Sequence, residues 1–195
     1  MNAFDLSKCK PGDVLAIRSP GWYGKAIRGC LGSYTNHTAM LVRDTAATMA
    51  TVESHWYVGE AIPPKSTLTS LAEYSARMID GRTIIRVWRV PGVSDGVRQA
   101  VSDTFMATKL GVKYPMSVAR LWVFRMVNSL PWTIEGEWCT PLVWNAWHEH
   151  YDSAFAHPLG YAKKNPTPRT NENRLVAGVL EDVTAECIPK VSARD

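Results

Sequence analysis

Nucleophilic attack on a carbonyl needs a thiol or hydroxyl, a base to take its proton, and an acceptor that orients the base. Cys139 stands in the segment Glu137-Trp138-Cys139-Thr140-Pro141-Leu142-Val143-Trp144-Asn145-Ala146-Trp147. Pro141 suits the first turn of a helix, where its missing N–H costs nothing. Leu142, Val143, Ala146 and Trp147 follow Cys139 at i+3, i+4, i+7 and i+8, which predicts an amphipathic helix from Cys139 to about His150 with the cysteine heading its buried stripe. A thiol there feels the positive end of the helix dipole, which favours the thiolate. A buried cysteine is often only a small core residue. Placement at a helix start is what separates Cys139 from that reading.

For the base, the pattern offers His37, which opens the strand-like run His37 to Val42 after the polar Tyr34-Thr35-Asn36. A second strand is expected over Ala50 to Glu53, joined to the first by the polar turn Asp44 to Thr48. An antiparallel pairing would set His37 opposite Glu53 or His55, depending on register. The two alternatives are two residues apart and share a face. Either could fix the imidazole tautomer, and a carboxylate would also stabilise its charged form.

The elements that must hold these groups follow from periodicity and breakers. Pro11-Gly12-Asp13 is a turn before a short buried strand, Val14 to Ile17. Trp22, Tyr23, Ala26, Ile27, Cys30 and Leu31 recur at helical spacing, and Gly32-Ser33 ends that helix. Beyond Pro63-Pro64, Ser66 resembles an N-cap for a helix carrying Leu68, Leu71, Ala72 and Tyr74. Thr83 to Val90 reads as a strand, Ser94 to Lys109 as a helix, and Ala119 to Leu130 as a further helix stopped by Pro131. A polar tail around Lys163, Lys164, Pro166 and Pro168 precedes a Leu175 to Leu180 segment of open type. The expectation is one α+β domain over residues 1–195, with a core of about 11–150 and an extension of about 151–195.

Composition narrows the function classes. The chain has 195 residues, 46% of them hydrophobic and 21% charged, which excludes a disordered or fibrous chain. A net charge of +4 without a clustered patch does not point to nucleic acid. Eight tryptophans favour a ligand-binding groove. The four cysteines, Cys9, Cys30, Cys139 and Cys187, form no CxxC pair, so neither a zinc site of usual spacing nor a disulfide scaffold is expected. His148, His150 and His157 lack the spacing of a metal site, and no cofactor is called for. No apolar run is long enough to span a membrane, and nothing at the N-terminus reads as a signal peptide. A cytoplasmic protein is the default expectation.

Taken in order, Gly12-Asp13-Val14-Leu15, the Trp22-to-Leu31 helix, Asn36-His37-Thr38-Ala39-Met40-Leu41-Val42, Val52-Glu53 and Trp138-Cys139-Thr140-Pro141-Leu142-Val143-Trp144 resemble the circularly permuted branch of the NlpC-type papain-like cysteine hydrolases. The YiiX-like proteins and the lecithin–retinol acyltransferase relatives belong to that branch, in which the histidine precedes the cysteine. The stretch Gly111 to Tyr114 also resembles a family loop. The resemblance runs from about Pro11 to Trp147. It implies a small antiparallel sheet packed on helices, with Cys139 as nucleophile, His37 as base and Glu53 as third member. One departure stands out: Thr140-Pro141 replaces the family's Ser-Glu after the cysteine, which bears on specificity.

The implied activity is that of an amidase or peptidase working through an acyl-enzyme, on cell-wall peptidoglycan peptides. A bacteriophage protein carried in a virion would reach such a substrate without an export signal. Two alternatives stay open: a lipid acyltransferase or thioesterase, and a non-catalytic binding module of a larger virion assembly.

Overall fold

The structure is a computed structural model and describes residues 3–45, 55–79, 83–114, 139–150 and 168–189. Its strands are Val14–Arg18 (β1), His37–Arg43 (β2), Trp56–Ile62 (β3), Lys65–Ser70 (β4), Ile84–Arg89 (β5) and Glu181–Asp182 (β6). They form one antiparallel sheet in the order β4-β3-β2-β1-β5-β6. The helices are Trp22–Leu31 (α1), Leu71–Ile79 (α2), Asp95–Thr104 (α3), Cys139–His148 (α4), Pro168–Val176 (α5) and Thr184–Cys187 (α6).

The sheet is covered on both faces, which is why β1 and β2 read as near-continuous apolar runs rather than as alternations. Val14, Ala16, Met40 and Val42 point into a core closed by Trp88, Val101, Phe105 and the side chains of α4. Leu15, Ile17, Ala39 and Leu41 point into a second core with Phe4, Cys9, Tyr74, Val183 and Cys187. Gly12 sits at φ +81°, and a Cβ there would lie 2.7 Å from Trp147 of α4, so the turn before β1 requires glycine twice over. Asp13, fully buried, is held by Arg89 at 2.8 and 2.6 Å.

Several expected elements differ. β3 begins at Trp56, and the pairing sets Ala39 opposite Glu60 and Arg43 opposite Trp56. The expected strand Ala50–Glu53 and helix Ala119–Leu130 lie outside the described residues. Ser66 does not cap a helix: Lys65–Ser70 is β4, and the Ser66 hydroxyl donates to the Lys109 carbonyl. The β-branched Thr67 and Thr69 lie against β3, and the helix starts only at Leu71. The helix after Ser94 is α-helical to Thr104 and π-helical over Phe105–Lys109. In the C-terminal part, the Leu175 to Leu180 segment begins in the last turn of α5 and ends just before β6. α4 is not two-faced: all its residues from Cys139 to Trp147 except Asn145 are buried. It serves as a central helix, packed on β2 and β3.

Candidate active site

β2 begins at His37, and that position explains the site. Thr38, Met40 and Val42 face α4, whereas His37 shares its face with Ala39 and Leu41. At the end of a strand a side chain can meet groups from both layers. His37 does so, with hydrogen bonds to Cys139 at the start of α4 and to Glu60 on β3. Glu60 is opposite Ala39, hence the diagonal neighbour of His37 on the same face.

The Glu60 carboxylate is 1% exposed, so it must be fully partnered. Oε2 accepts from His37 Nε2 at 3.0 Å and from the Tyr74 hydroxyl. Oε1 accepts from the Thr69 hydroxyl at 2.6 Å, with Arg77 at 3.9 Å. These donors come from β2, β4 and α2, so three elements fix one carboxylate. With Nε2 held by Glu60, the other ring nitrogen, Nδ1, is the one left for Cys139.

Burial alone would lower the His37 pKa, but the hydrogen bonds and charges of Cys139 and Glu60 outweigh it and raise it to about 10. Burial likewise works to raise Cys139. The His37 hydrogen bond and charge, the Thr38 backbone N–H and the Thr140 hydroxyl together bring it below its ordinary value. The two shifts run in the direction that favours thiolate and imidazolium, each group stabilising the charge of the other. The His37 side chain is 18% exposed, so the pair is reached from solvent.

A second buried polar chain backs the thiol. Thr38 and Thr140 hydroxyls lie 2.9 Å apart, the Asn171 amide donates to Thr38 at 3.1 Å, and Trp144 Nε1 donates to Asn171 at 2.7 Å. Arg174 lies over the Trp144 ring at 4.5 Å. Helix α5, from the C-terminal part, thus reaches the floor of the site.

Cys139 and His37 come together. Glu53 lies outside the described residues, and the register that would have set His37 opposite Glu53 or His55 is replaced by one running towards Ile62. His55 stands at the far end of the β2–β3 pair, where Nδ1 is 3.1 Å from the Asp44 carbonyl. Glu60 is the residue missed by the sequence reading. Its signal was an acid inside the apolar run Trp56 to Ile62, where burial demands a partner. His150 Nε2 is 2.5 Å from the Thr104 hydroxyl, and His157 lies outside the described residues.

No family model and no curated protein sequence matches the chain. Among solved structures it is similar to the crystal structure of the metalloprotein YiiX from Escherichia coli O157:H7. The identity is 24% and the TM-score 0.51, over 74% of this chain and 68% of that one. At this identity the likeness is one of fold: an antiparallel six-stranded sheet with helices, YiiX-like in architecture.

Proposed function

We propose that the protein is a cysteine hydrolase of the permuted papain-like kind, with Cys139 as nucleophile, His37 as acid and base, and Glu60 as the residue that orients His37. The observation that carries the reading is the placement of one imidazole between a thiol at a helix start and a buried carboxylate. The YiiX-like fold supports it. The word metalloprotein belongs to that neighbour. Among the described residues no three His, Cys, Asp or Glu side chains cluster as ligands.

The Cys139 thiolate attacks an amide or ester carbonyl, forming the C–S bond and moving the π electrons to oxygen. Imidazolium His37 gives its Nδ1 proton to the leaving nitrogen or oxygen as that bond breaks, which leaves a thioester. Neutral His37 then takes a proton from water, which attacks the thioester and releases Cys139. Glu60 holds the imidazole plane and offsets its charge throughout. The Cys139 N–H at the head of α4 has no partner inside the helix and is the proposed donor to the oxyanion. Peptidoglycan-type peptides are the proposed substrate class.

The test pairs intact-mass detection of an acyl-enzyme with substrate turnover, using peptidoglycan fragments and, separately, acyl esters. A thioester adduct at Cys139, absent in Cys139→Ser, is expected, with turnover of the peptide fragments. Adduct and turnover with acyl esters alone would move the protein to the acyltransferase and thioesterase class. Absence of any adduct would leave a binding module.

A further inference from the structure

Two donors converge on one oxygen beside His37. Glu60 Oε2 accepts from His37 Nε2 at 3.0 Å and also from the Tyr74 hydroxyl, while Oε1 takes the Thr69 hydroxyl at 2.6 Å. A carboxylate oxygen has a limited charge to share, so a second donor on the same atom draws charge away from the first. Tyr74 is well placed for this. It is 1% exposed, and Leu71, one turn earlier on α2, is buried with it in the same core. Burial pushes its pKa well above that of an ordinary phenol, so it stays a donor at any working pH. The Arg77 guanidinium lies over its ring at 4.8 Å, is 3.9 Å from Glu60 Oε1, and donates to Glu73 at 2.5 Å. A phenylalanine side chain would fill the same core volume, so what the tyrosine adds is the hydroxyl on Glu60.

We propose that Tyr74 is a positioning residue that acts on His37 through Glu60, sharing Oε2 so that the imidazolium is held in place without its proton being held fast. This rests on the cysteine-hydrolase reading and deepens it. The acid step in that reading needs His37 to release a proton to the leaving group, and transfer is most effective from a group poised near the working pH. A buried carboxylate that turned its full charge on the imidazole would oppose that release. Tyr74 takes up part of the charge on the oxygen that His37 uses, whereas Thr69 and Arg77 act on the other oxygen. Tyr74 needs no contact with substrate to do so.

Alkylation of Cys139 by iodoacetamide, followed over pH, tests this. In Tyr74→Phe, Glu60 turns more charge on His37, which favours the imidazolium and with it the Cys139 thiolate. The expected result is an acid limb displaced to lower pH, with alkylation there about threefold faster than in the parent, and a smaller gain in Thr69→Val. Placing 3-fluorotyrosine at position 74, a stronger donor of nearly the same shape, is expected to slow alkylation on that limb, and it reads the role even where Tyr74→Phe fails to fold. A purely structural Tyr74 would loosen Glu60 when cut back, so slower alkylation in Tyr74→Phe with a lower Tm overturns the proposal. Equal rates in the parent, Tyr74→Phe and the fluorinated protein overturn it too, as do equal gains in Tyr74→Phe and Thr69→Val. In each of those cases slowing of Cys139 by His37→Ala leaves the hydrolase reading standing. Cys139 alkylation that ignores His37→Ala overturns both.

Discussion

Cys139 and Cys187 are both buried thiols held below the ordinary cysteine pKa, and they sit in the two cores on opposite faces of the sheet. Their surroundings differ in kind. Cys187 is hydrogen-bonded to Cys9, which is pushed upward in consequence, and Arg89 Nη2 lies 3.6 Å from its sulfur. That guanidinium is already committed to Asp13 and never gives up its proton. Cys139 faces an imidazole, which can hold a proton, donate it and take it back. A lowered thiol pKa is thus common to both regions, while a proton that can be returned belongs to one. The comparison teaches that the partner of the thiol, rather than its acidity, marks a site able to turn over.

The largest effect that sharpens the contrast is on alkylation. An ordinary thiol of pKa ~8.5 is only about 0.3% thiolate at pH 6. Cys139, shifted towards the thiolate by His37, should keep alkylating at lower pH than Cys9 does. His37→Ala should slow Cys139 by about a hundredfold or more at pH 6 and leave Cys9 and Cys187 unchanged. Peptide mapping of iodoacetamide adducts over pH reads all three at once. Equal slowing at Cys187 would mean that a general loosening, not the loss of the base, was measured.

Much of the framework behind this contrast is legible in the residues. Val14 to Ile17 and Ala39 to Val42 announce central strands, α1 follows from its helical spacing, and Cys139 at a helix start with His37 at a strand start are found without coordinates. Glu60 was not, because pairing partners depend on loop length. The segment from Asp44 to His55 takes up more chain than the short expected turn, and the register moves with it. β4 was misread because Leu68, Leu71, Ala72 and Tyr74 satisfy helical spacing across what is a strand–helix junction. Asn171 gave no signal at all. A polar residue in a polar segment looks solvated until the fold lays α5 under Thr38.

A second way to break the comparison acts on the other face. Asp13 is fully buried, accepts twice from Arg89 and once from the Lys10 N–H at 2.9 Å, and has Arg98 at 3.5 Å. Asp13→Asn leaves two buried guanidinium groups without their charge partner, a loss that costs about 3–5 kcal/mol. For a chain of this size the expected fall in Tm is about 10 °C. Cys139 alkylation at a temperature where both proteins are folded should be unchanged, since Arg89 reaches the Cys187 sulfur and Arg98 lies over Trp147 at the other end of α4 from Cys139. Calorimetry and the alkylation rate together check this. A slowed Cys139 in folded Asp13→Asn would show that the two regions are coupled through β1 rather than separate.

The smallest expected effect concerns the chain under the thiol. Asn171 is fully buried and bridges the Trp144 indole N–H to the Thr38 hydroxyl, which in turn meets Thr140. Asn171→Ala removes the acceptor of one buried donor and the donor to one buried hydroxyl, for about 1–3 kcal/mol in chemical denaturation. Thr38 also supplies a backbone N–H to the Cys139 sulfur, so loosening its side chain reaches the thiolate by a second-hand route. The alkylation rate of Cys139 should therefore fall by no more than about threefold, far less than on removal of His37. Asn171→Asp separates packing from polarity, because it keeps an acceptor for Trp144 but loses the amide donor to Thr38 and introduces a buried negative charge. If Asn171→Asp slows Cys139 more than Asn171→Ala while unfolding at the same denaturant concentration, the chain acts on the thiolate electrostatically. If the two slow it alike, its part is to hold Thr38 and the head of α4 in place.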